Sequence, residues 1–383
     1  MPPFDVHQAR AAMPITREWI HLNHAGVAPV AGPSADLMAE AALDAAHHST
    51  VNSGRWNRLI EKGRVRFAQL VGTRPSEIAY VKNTSHGLLI AANGLPILPG
   101  DNVIFFRGEF PANAYPWLAL QRKGVEARML EPRDGRIAAD HIREAMDART
   151  RVVAVSFVQF GTGFRADLAA IGELCRERSA YFVVDIIQGA GALPLDLAAC
   201  QVDIAAADGH KWLLGPEGVG HLYCRQDVLD DLGLSYVGWH SVESAWDFDS
   251  YDMALRPDAR RFEEGSPTTV CAVGLAESAA ILCGWGIPAV YARIIALTDR
   301  IIDHARRRGF QVLSPCATER ERSGIVIVRP PDADPGYLVG QLQSRGVIAA
   351  ARGGGIRFSP HAYNSEDEID EAFTRLDSAS LPS

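Results

Sequence analysis

Short apolar runs alternate with amphipathic stretches along the middle of the chain. The run RVVAVSFV around Val152–Phe157 is continuous and rich in β-branched residues, as expected of a strand buried on both faces. Helical periodicity separates the strands, and one predicted helix follows Asp167, a residue type that caps helix N-termini. The other predicted strands of this region are Val103–Phe106, Tyr181–Asp185, Val202–Asp208 and Val219–Arg225. This alternation is typical of the α/β class, with a mostly parallel central sheet and helices on both faces.

The pattern changes after Trp239. The segment up to Pro267 is rich in aromatic and charged residues and predicts a long structured connection. Helical periodicity over Val270–Trp285 and Pro288–Arg308 then precedes short strands at GIVIVRP, GVIAAAR and GIRFS and a last helix at SEDEIDEAFTRL. These elements predict a smaller α+β C-terminal domain over residues 266–383, after a large domain over residues 31–265. Residues 1–30 stay unassigned on pattern alone.

The composition narrows the class of protein. Of 383 residues, 47% are hydrophobic and 22% are charged, which excludes a disordered chain. The formal net charge is −8 and no basic patch stands out, so we expect no nucleic-acid partner. Six cysteines without a C-x-x-C pair indicate neither a disulfide framework nor a metal site, and they favour a reduced, cytoplasmic protein. No apolar run approaches the ~20 residues of a membrane span, and the N-terminus does not resemble a signal peptide, so no membrane association is expected.

The most informative polar residues follow two neighbouring predicted strands. One strand ends on Asp185, with Gln188 three residues later, and the next delivers His210 and Lys211 into a loop. Because the carboxyl ends of parallel strands meet at one edge of a sheet, we expect these side chains to converge. Burial beside the apolar stretch Trp212–Leu214 would lower the pKa of Lys211 and favour the neutral amine that Schiff-base chemistry requires.

One cofactor needs this combination of residues. Pyridoxal 5′-phosphate (PLP) requires a lysine for its aldehyde and an acid that keeps its pyridine nitrogen protonated, so that the ring can accept electrons. Either residue alone has an ordinary alternative, Asp185 as a helix cap and Lys211 as a surface charge. Their combination with the Gly-His-Lys loop favours a PLP site.

With these motifs the chain resembles the class V aminotransferase family of PLP-dependent enzymes. This family holds cysteine desulfurases, selenocysteine lyases, isopenicillin N epimerase and kynureninase. The resemblance implies the PLP-dependent transferase fold type I, with Lys211 as the Schiff-base lysine and Asp185 on the pyridine nitrogen. It also implies that Gln188 hydrogen-bonds the ring hydroxyl and that His210 binds the phosphate.

The resemblance implies further contacts to the phosphate. VKNTSHGL places Thr84 and Ser85 at a strand-to-helix turn, where hydroxyls and a helix N-terminus can meet a phosphate. Asp208 stands where desulfurases commonly have a serine, and an acid there would repel the phosphate unless it is turned away. FEEGSPTT resembles the segment whose Gly–Ser/Thr pair reaches the cofactor of the neighbouring subunit. Gly265 and Ser266 hold these positions and imply a homodimer with shared active sites.

The resemblance also assigns residues to an amino-acid substrate. In GGGIRFSPHAYNSEDEID, Arg357 matches the arginine that holds the substrate carboxylate, and Arg352 is an alternative. HLNHAGVAPV resembles the segment that folds over the active site, which would bring residues 1–30 near the site and the small domain. Asn23 and His24 could then touch substrate, although a structural hairpin is an equally good interpretation. Phe110 takes the place of the desulfurase histidine above the PLP ring, where an aromatic side chain can stack but cannot move protons.

The residues that are missing limit the reaction. Desulfurases carry a nucleophilic cysteine shortly before the carboxylate-binding arginine, whereas Cys316 lies 41 residues upstream of Arg357. We therefore expect transamination of an amino acid rather than a desulfurase of the usual kind. Epimerisation and β-elimination, as in a C–S lyase, stay open, with His24, His361 and Tyr363 as candidate acids for elimination. A non-catalytic PLP-binding scaffold is the alternative from another class.

Overall fold

The computed structural model describes residues 4–233, 236–331 and 333–379. Its strands are β1 (Ile20–His21), β2 (Ile78–Val81), β3 (Asn102–Phe106), β4 (Glu126–Leu130), β5 (Thr150–Ser156), β6 (Tyr181–Asp185), β7 (Ile204–Asp208), β8 (Gly220–Cys224), β9 (Gln311–Val312), β10 (Val326–Arg329), β11 (Val347–Ile348), β12 (Ala350–Arg352) and β13 (Gly355–Phe358). Its α-helices are α1 (Val6–Ala11), α2 (Gly32–His48), α3 (Ser53–Leu70), α4 (Thr84–Gly94), α5 (Tyr115–Ala119), α6 (Ala139–Ala145), α7 (Leu168–Glu177), α8 (Thr269–Trp285), α9 (Ile287–Arg307), α10 (Pro335–Ser344) and α11 (Glu366–Ala379).

Seven strands form the central sheet, in the spatial order β2-β8-β7-β6-β5-β3-β4. The pairs from β7 to β4 are parallel, and β8 runs antiparallel to both of its neighbours. Residues of β5 alternate between two cores: Val153 and Val155 pack with one, and Val152 and Ala154 with the other. Asp167 caps α7 as predicted, because its carboxylate accepts a hydrogen bond from Ala170 N at 3.1 Å. The sheet confirms the predicted α/β class.

The turns that follow β5, β6 and β7 lie along the carboxyl edge of the sheet. β2 ends at the same edge, because its antiparallel pairing with β8 and that of β8 with β7 make β2 parallel to β7. Thr84 after β2, Asp185 at the end of β6 and Asp208 at the end of β7 are therefore neighbours in space. This edge is where ligands bind in parallel α/β sheets.

A second, antiparallel sheet lies in the C-terminal part of the chain. Its order is β12-β13-β10-β9, and it shares an apolar core with α9, α10 and α11. This is the smaller α+β unit that the sequence predicts. β1 pairs in parallel with β11, Ile20 with Val347 and His21 with Ile348, so the N-terminal segment is attached to the C-terminal unit.

Helix α8 packs away from that second sheet. A Cβ on Gly63 of α3 would lie 2.4 Å from Ala276 Cβ, and one on Gly274 of α8 would lie 2.5 Å from Met38 Sδ of α2. Helix α8 therefore shares the core of α2 and α3, although it lies beyond residue 266. Among the described helices, none alone has the length and apolar character to cross a membrane, and α8 and α9 meet that test only as a pair bent by 81°.

Candidate active site

A cavity of about 520 Å³ opens at the carboxyl edge of the central sheet. Its walls come from the turns that follow the strands, from the N-terminal segment around Ala25–Val27 and from the hairpin of β12 and β13. Nine residues predicted for the site line it: Thr84, Ser85, Phe110, Asp185, Gln188, His210, Lys211, Arg352 and Arg357. The remaining predicted residues, all within the described chain, lie outside the lining: Asn23, His24, Gly265 and Ser266.

Lys211 and Asp185 form the electrostatic centre of the cavity. Asp185 is buried, and Ile187 N donates a hydrogen bond to its Oδ1 at 2.9 Å. Burial raises the pKa of Asp185 to about 7 against the effects of the Ile187 amide and Lys211, and Glu109 adds to the rise. Burial also lowers the pKa of Lys211 to about 8, against the opposing charge of Asp185. Because burial disfavours the ionised form of Asp185, a positively charged group beside it would be stabilising. An amine with the pKa of Lys211 can gain or lose a proton near neutral pH.

Phe110 presents an aromatic face beside the lysine. Lys211 Nζ lies 5.4 Å from the centroid of the Phe110 ring, and Phe160 packs edge-on against that ring at 5.3 Å between centroids. The Phe110 side chain is 44% exposed and lines the cavity. Aromatic surface is thus available for a flat ligand at the place predicted for stacking.

Gln188 is fixed at both ends of its amide. Its Nε2 donates to Ala25 O at 3.0 Å, and its Oε1 accepts from Trp212 Nε1 at 2.9 Å. These bonds tie the N-terminal segment to the residue that follows the lysine. One amide hydrogen of Gln188 remains for a ligand.

The start of helix α4 supplies hydrogen-bond donors to the cavity. Asn83 caps the helix by accepting from His86 N at 2.9 Å, and Thr84 and Ser85 are its first two residues. Thr84 Oγ1 accepts a hydrogen bond from Asp208 N at 2.9 Å, which leaves the hydroxyl proton for another acceptor. Hydroxyls and amides at a helix N-terminus suit an anion such as phosphate.

Asp208 is turned toward His210. Its Oδ1 lies 3.0 Å from His210 Nδ1. Neither atom has a hydrogen-bond partner of good geometry among the described residues. The Asp208 carboxylate, which stands in the place of the family serine, therefore faces an imidazole. The imidazole also has a second ring nitrogen that can hydrogen-bond a ligand.

Glu109 is a buried acid that the sequence reasoning missed. Its carboxylate accepts from Ser156 N at 2.9 Å and from Gln159 Nε2 at 2.8 Å. Burial raises the pKa of Glu109 despite these donors, and its charge raises the pKa of Asp185. The available signal was an acid directly before Phe110, in a turn after an apolar strand.

Arg357 lies on β13 with its guanidinium buried. Its Nη1 donates to Phe160 O at 3.0 Å and its Nη2 to Asn23 Oδ1 at 3.3 Å, whereas Nε has no partner within the described residues. Burial lowers the pKa of Arg357 to about 10, and the charge of Arg352 lowers it further. Asn23 thus contacts the arginine, and Arg352 is exposed at the rim of the cavity.

The chemistry of these walls fits PLP. A buried acid, a lysine with a lowered pKa, an aromatic face and a helix N-terminus with hydroxyls are the groups that this cofactor requires. One buried polar atom of the cavity lining, Arg357 Nε, has neither a hydrogen-bond nor an ion-pair partner among the described residues. Because buried polar atoms in folded proteins are normally hydrogen-bonded, this nitrogen is open to a partner from a ligand.

Residues 39–371 match the family model described as Aminotransferase class-V. The chain belongs to this family. It is 28% identical over 324 residues to an uncharacterized aminotransferase of Bacillus subtilis, and the alignment covers 84% of this chain and 85% of that protein. It is 27% identical over 384 residues to a probable cysteine desulfurase of Methanothermobacter thermautotrophicus, covering 94% of each.

Solved structures share the fold of the class V chain. The apo cysteine desulfurase of Thermococcus onnurineus NA1 has a TM-score of 0.88 at 23% identity, with 97% of each chain covered. A variant of the enzyme C-DES, in which glycine is covalently linked to the PLP cofactor, has a TM-score of 0.89 at 23% identity, with 97% of this chain and 99% of that chain covered. The predicted family and fold type I are confirmed. The class V chain is a PLP-dependent enzyme.

His24, for which a substrate contact and a structural role are both predicted, does not line the cavity. His24 is fully buried, with Nδ1 2.9 Å from Ser359 O and Nε2 2.8 Å from Tyr363 Oη. The bridge between Asn23 and Ser359 turns the next side chain of the segment into the interior. His361 and Tyr363 belong to the same buried cluster, with ring centroids 5.2 Å and 5.3 Å from that of His24. These candidate acids do not line the cavity.

This buried cluster is expected to make the class V enzyme less stable in acid. Burial lowers the pKa of His361 from its ordinary 6.5 to about 4, against a contact with Trp212 O. The unfolded chain takes up the proton near pH 6.5 and the folded chain only near pH 4, so the free energy of unfolding falls between these values. The loss for this one group is about 3 kcal/mol.

Urea unfolding at neutral pH and near the lower end of that range measures the effect. The variant His361→Gln keeps a polar side chain that cannot titrate, so its stability should fall less with pH than that of the wild type. Exposed His47→Gln is the matched control and should follow the wild type. If the free energy of unfolding depends on pH equally in all three proteins, the burial of His361 does not cause the loss of stability in acid.

Gly265 and Ser266 lie outside the cavity of their own chain, and Ser266 is exposed. The preceding Glu263 is held firmly, because its Oε1 accepts from Arg64 Nη1 at 2.6 Å and from Tyr80 N at 2.8 Å. The segment that presents the two residues is therefore anchored to the central sheet of its own subunit.

Proposed function

We propose that this class V enzyme binds an α-amino acid through its carboxylate at Arg357 and catalyses transamination. The charge environment of Arg357 carries the proposal. Among the described residues, buried Arg64 is paired with Glu263 and buried Arg261 with Asp230, whereas Arg357 has no carboxylate oxygen within 4.0 Å. A buried guanidinium without a protein counter-ion is matched to an anionic ligand, and its planar fork suits a carboxylate.

Each polar residue of the cavity has a separate role in this proposal. PLP, when bound, supplies an aldehyde for amines and a ring that accepts electrons from the substrate Cα. Lys211 Nζ would hold the cofactor through its aldehyde, and as a free amine it would move the proton at the substrate Cα. Asp185 would hold the proton on the ring nitrogen, and Thr84 and His210 would donate to the phosphate. Arg357 fixes the substrate carboxylate in the cavity that Lys211 also lines.

Other reactions of the family find less support in the residues of the cavity. A desulfurase of the usual kind needs a cysteine beside the substrate, and none of the six cysteines, all within the described residues, lines the cavity. Elimination needs an acid beside the leaving group, and the candidates His24, His361 and Tyr363 are buried elsewhere. Because some relatives are named probable cysteine desulfurases, cysteine belongs among the substrates tested, and we expect no persulfide on the enzyme.

Replacing Arg357 by glutamine is expected to raise KM for a neutral amino acid about 10–100-fold, because about 1.5–3 kcal/mol of charge-assisted hydrogen bonding is lost. The turnover number should change less, since Lys211 and Asp185 remain. Steady-state kinetics with alanine and a keto acid measure both constants. Arg329→Gln, on the exposed end of β10, removes the same charge away from the cavity and should behave as wild type. An unchanged KM in Arg357→Gln would move the carboxylate site elsewhere.

We also propose a homodimer in which Gly265 and Ser266 complete the cavity of the partner subunit. An exposed aromatic cluster beside them supports this: Trp239, Trp246 and Phe248 are 42%, 71% and 70% exposed. Their rings contact one another, with centroids 5.2 Å apart for Trp239 and Trp246. A Cβ on Gly265 would lie 3.7 Å from Trp239 Nε1, so the cluster and the Gly–Ser pair share one surface. Contiguous exposed aromatic surface of this kind typically marks an interface.

Mixed dimers test the shared site. We expect dimers of a Lys211→Ala subunit and a Ser266→Asp subunit to recover about half of the wild-type activity, because a symmetric dimer with shared sites then has both defects in one site and none in the other. Each variant alone should be nearly inactive, since the aspartate repels the phosphate. Purified mixed dimers without activity would show that each subunit builds its site alone.

A further inference from the structure

Arg352 and Arg357 both line the cavity, and the charge of Arg352 acts on the Arg357 guanidinium. Arg352 ends β12 and Arg357 lies on β13, and in the antiparallel pairing Arg352 is opposite Gly355 while Ala350 is opposite Arg357. Side chains of directly opposed residues share a face, so both arginines project from the same face of the hairpin as diagonal neighbours. Their cross-strand partners, Gly355 and Ala350, carry little or no side chain on that face of the hairpin.

The hairpin is held tightly against the large domain. Gly353 and Gly354 form its turn at φ values of +61° and +80°, a conformation that favours glycine. A Cβ on Gly353 would lie 2.2 Å from Gly161 O, so the turn packs directly on the loop after β5. Arg357 Nη1 donates to Phe160 O of the same loop at 3.0 Å. The backbone at Arg352 therefore has a fixed position at the rim of the cavity.

The protein itself neutralises neither arginine. Among residues 4–233, 236–331 and 333–379, no carboxylate oxygen lies within 4.0 Å of Arg352 or Arg357, although ion pairs between other arginines and acids are numerous. The carboxylates that line the cavity are Asp185 and Asp208, which interact with Lys211 and His210. A ligand with a single carboxylate would match Arg357 and leave a second positive charge beside it.

We propose that the substrate is an α-amino acid whose side chain ends in an oxyanion, a carboxylate or a sulfinate, held by Arg352 at the rim while Arg357 holds the α-carboxylate inside. This inference rests on the proposed function, because it deepens the substrate class of the same site. The deeper arginine is buried beside the lysine, which suits the carboxylate attached to Cα, and the exposed one suits the end of the side chain. Water solvates the exposed Arg352 guanidinium in the free enzyme, and its planar fork can exchange that water for the oxyanion of a side chain.

Matched pairs of amino acids test the assignment on the PLP-loaded enzyme. We expect kcat/KM for aspartate, glutamate or cysteine sulfinate to exceed that for asparagine or glutamine by about 10-fold or more, the effect of one charge-assisted contact. Arg352→Gln should remove this preference, because kcat/KM for the acidic substrates should fall by about 10-fold more than that for asparagine or glutamine. Arg329→Gln removes one positive charge from the same sheet outside the cavity and should keep the preference.

Binding of unreactive acids gives a second measurement that does not depend on turnover. Succinate and butyrate have the same carbon chain and differ by one carboxylate, so calorimetry should find succinate bound about 10-fold more tightly by the wild type and equally by Arg352→Gln. A wild-type preference for neutral amino acids, or an equal loss for both classes in Arg352→Gln, would overturn the assignment; the second result would mean that Arg352 shares the α-carboxylate. If no amino acid of either class yields a keto acid, the proposed function fails, and the two acids alone decide whether the second anion site exists.

Discussion

Replacing Lys211 by alanine is expected to lower kcat by about 10⁴-fold or more, because the variant loses both the amine that carries the cofactor and the base that moves the Cα proton. Noncovalent PLP should remain, since Asp185, Thr84 and His210 are untouched. Borohydride treatment followed by peptide mass spectrometry should find the cofactor on the Lys211 peptide of the wild type and nowhere in the variant.

Two comparisons make this result specific. Lys123→Ala removes an exposed lysine that does not line the cavity and should keep full activity and full labelling. Added methylamine should partly restore turnover in Lys211→Ala, because a small amine can enter the space that the side chain leaves and act as the base. Cofactor trapped on another lysine, or substantial activity without Lys211, would rule out its central role.

Replacing Asp185 by asparagine is expected to lower kcat by about 10²–10³-fold. Asparagine has nearly the same shape and can still accept the hydrogen bond from Ile187 N, so the fold should be unchanged. It carries no charge to hold a proton on the ring nitrogen, so the ring becomes a weaker electron acceptor. Steady-state kinetics with saturating cofactor measure the loss.

Asp167→Asn is the matched control for this change. Asp167 caps α7 through Ala170 N, away from the cavity, and asparagine caps helices equally well. This variant should keep wild-type kinetics and stability. An Asp185→Asn enzyme with wild-type kcat would show that the carboxylate does not control the ring nitrogen.

The sequence predicts the site residues correctly where they lie at the end of a strand that its apolar pattern reveals. Strand β6 has the predicted bounds Tyr181–Asp185, and β7 ends at Asp208 as predicted. Because the ends of such strands meet at one edge, residues far apart in the chain could be expected in one site. The nine predicted residues that line the cavity all end a strand, follow one or lie on the C-terminal hairpin.

Other features depend on contacts that no local pattern reveals. The direction of His24 follows from the bridge between Asn23 and Ser359, residues more than three hundred positions apart. Strand β8 runs antiparallel to β2 and β7. The sequence does not predict this direction, because the apolar pattern of a buried strand is the same for parallel and antiparallel pairing. Helices α2 and α3 are not predicted, although they pack on α8 beside the central sheet. Glu109 was missed because its importance comes from donors on β5 and in the loop after it.

The central claim, transamination at Lys211, is tested most directly by incubating the PLP-loaded enzyme with an amino acid in the absence of any keto acid. Transamination yields about one equivalent of keto acid per active site and then stops, because the amino group stays on the enzyme until a second keto acid removes it. Adding 2-oxoglutarate or pyruvate should restore turnover. Continuous release of ammonia or sulfide, or inversion of the amino acid without an added keto acid, would contradict transamination and indicate elimination, desulfuration or epimerisation instead.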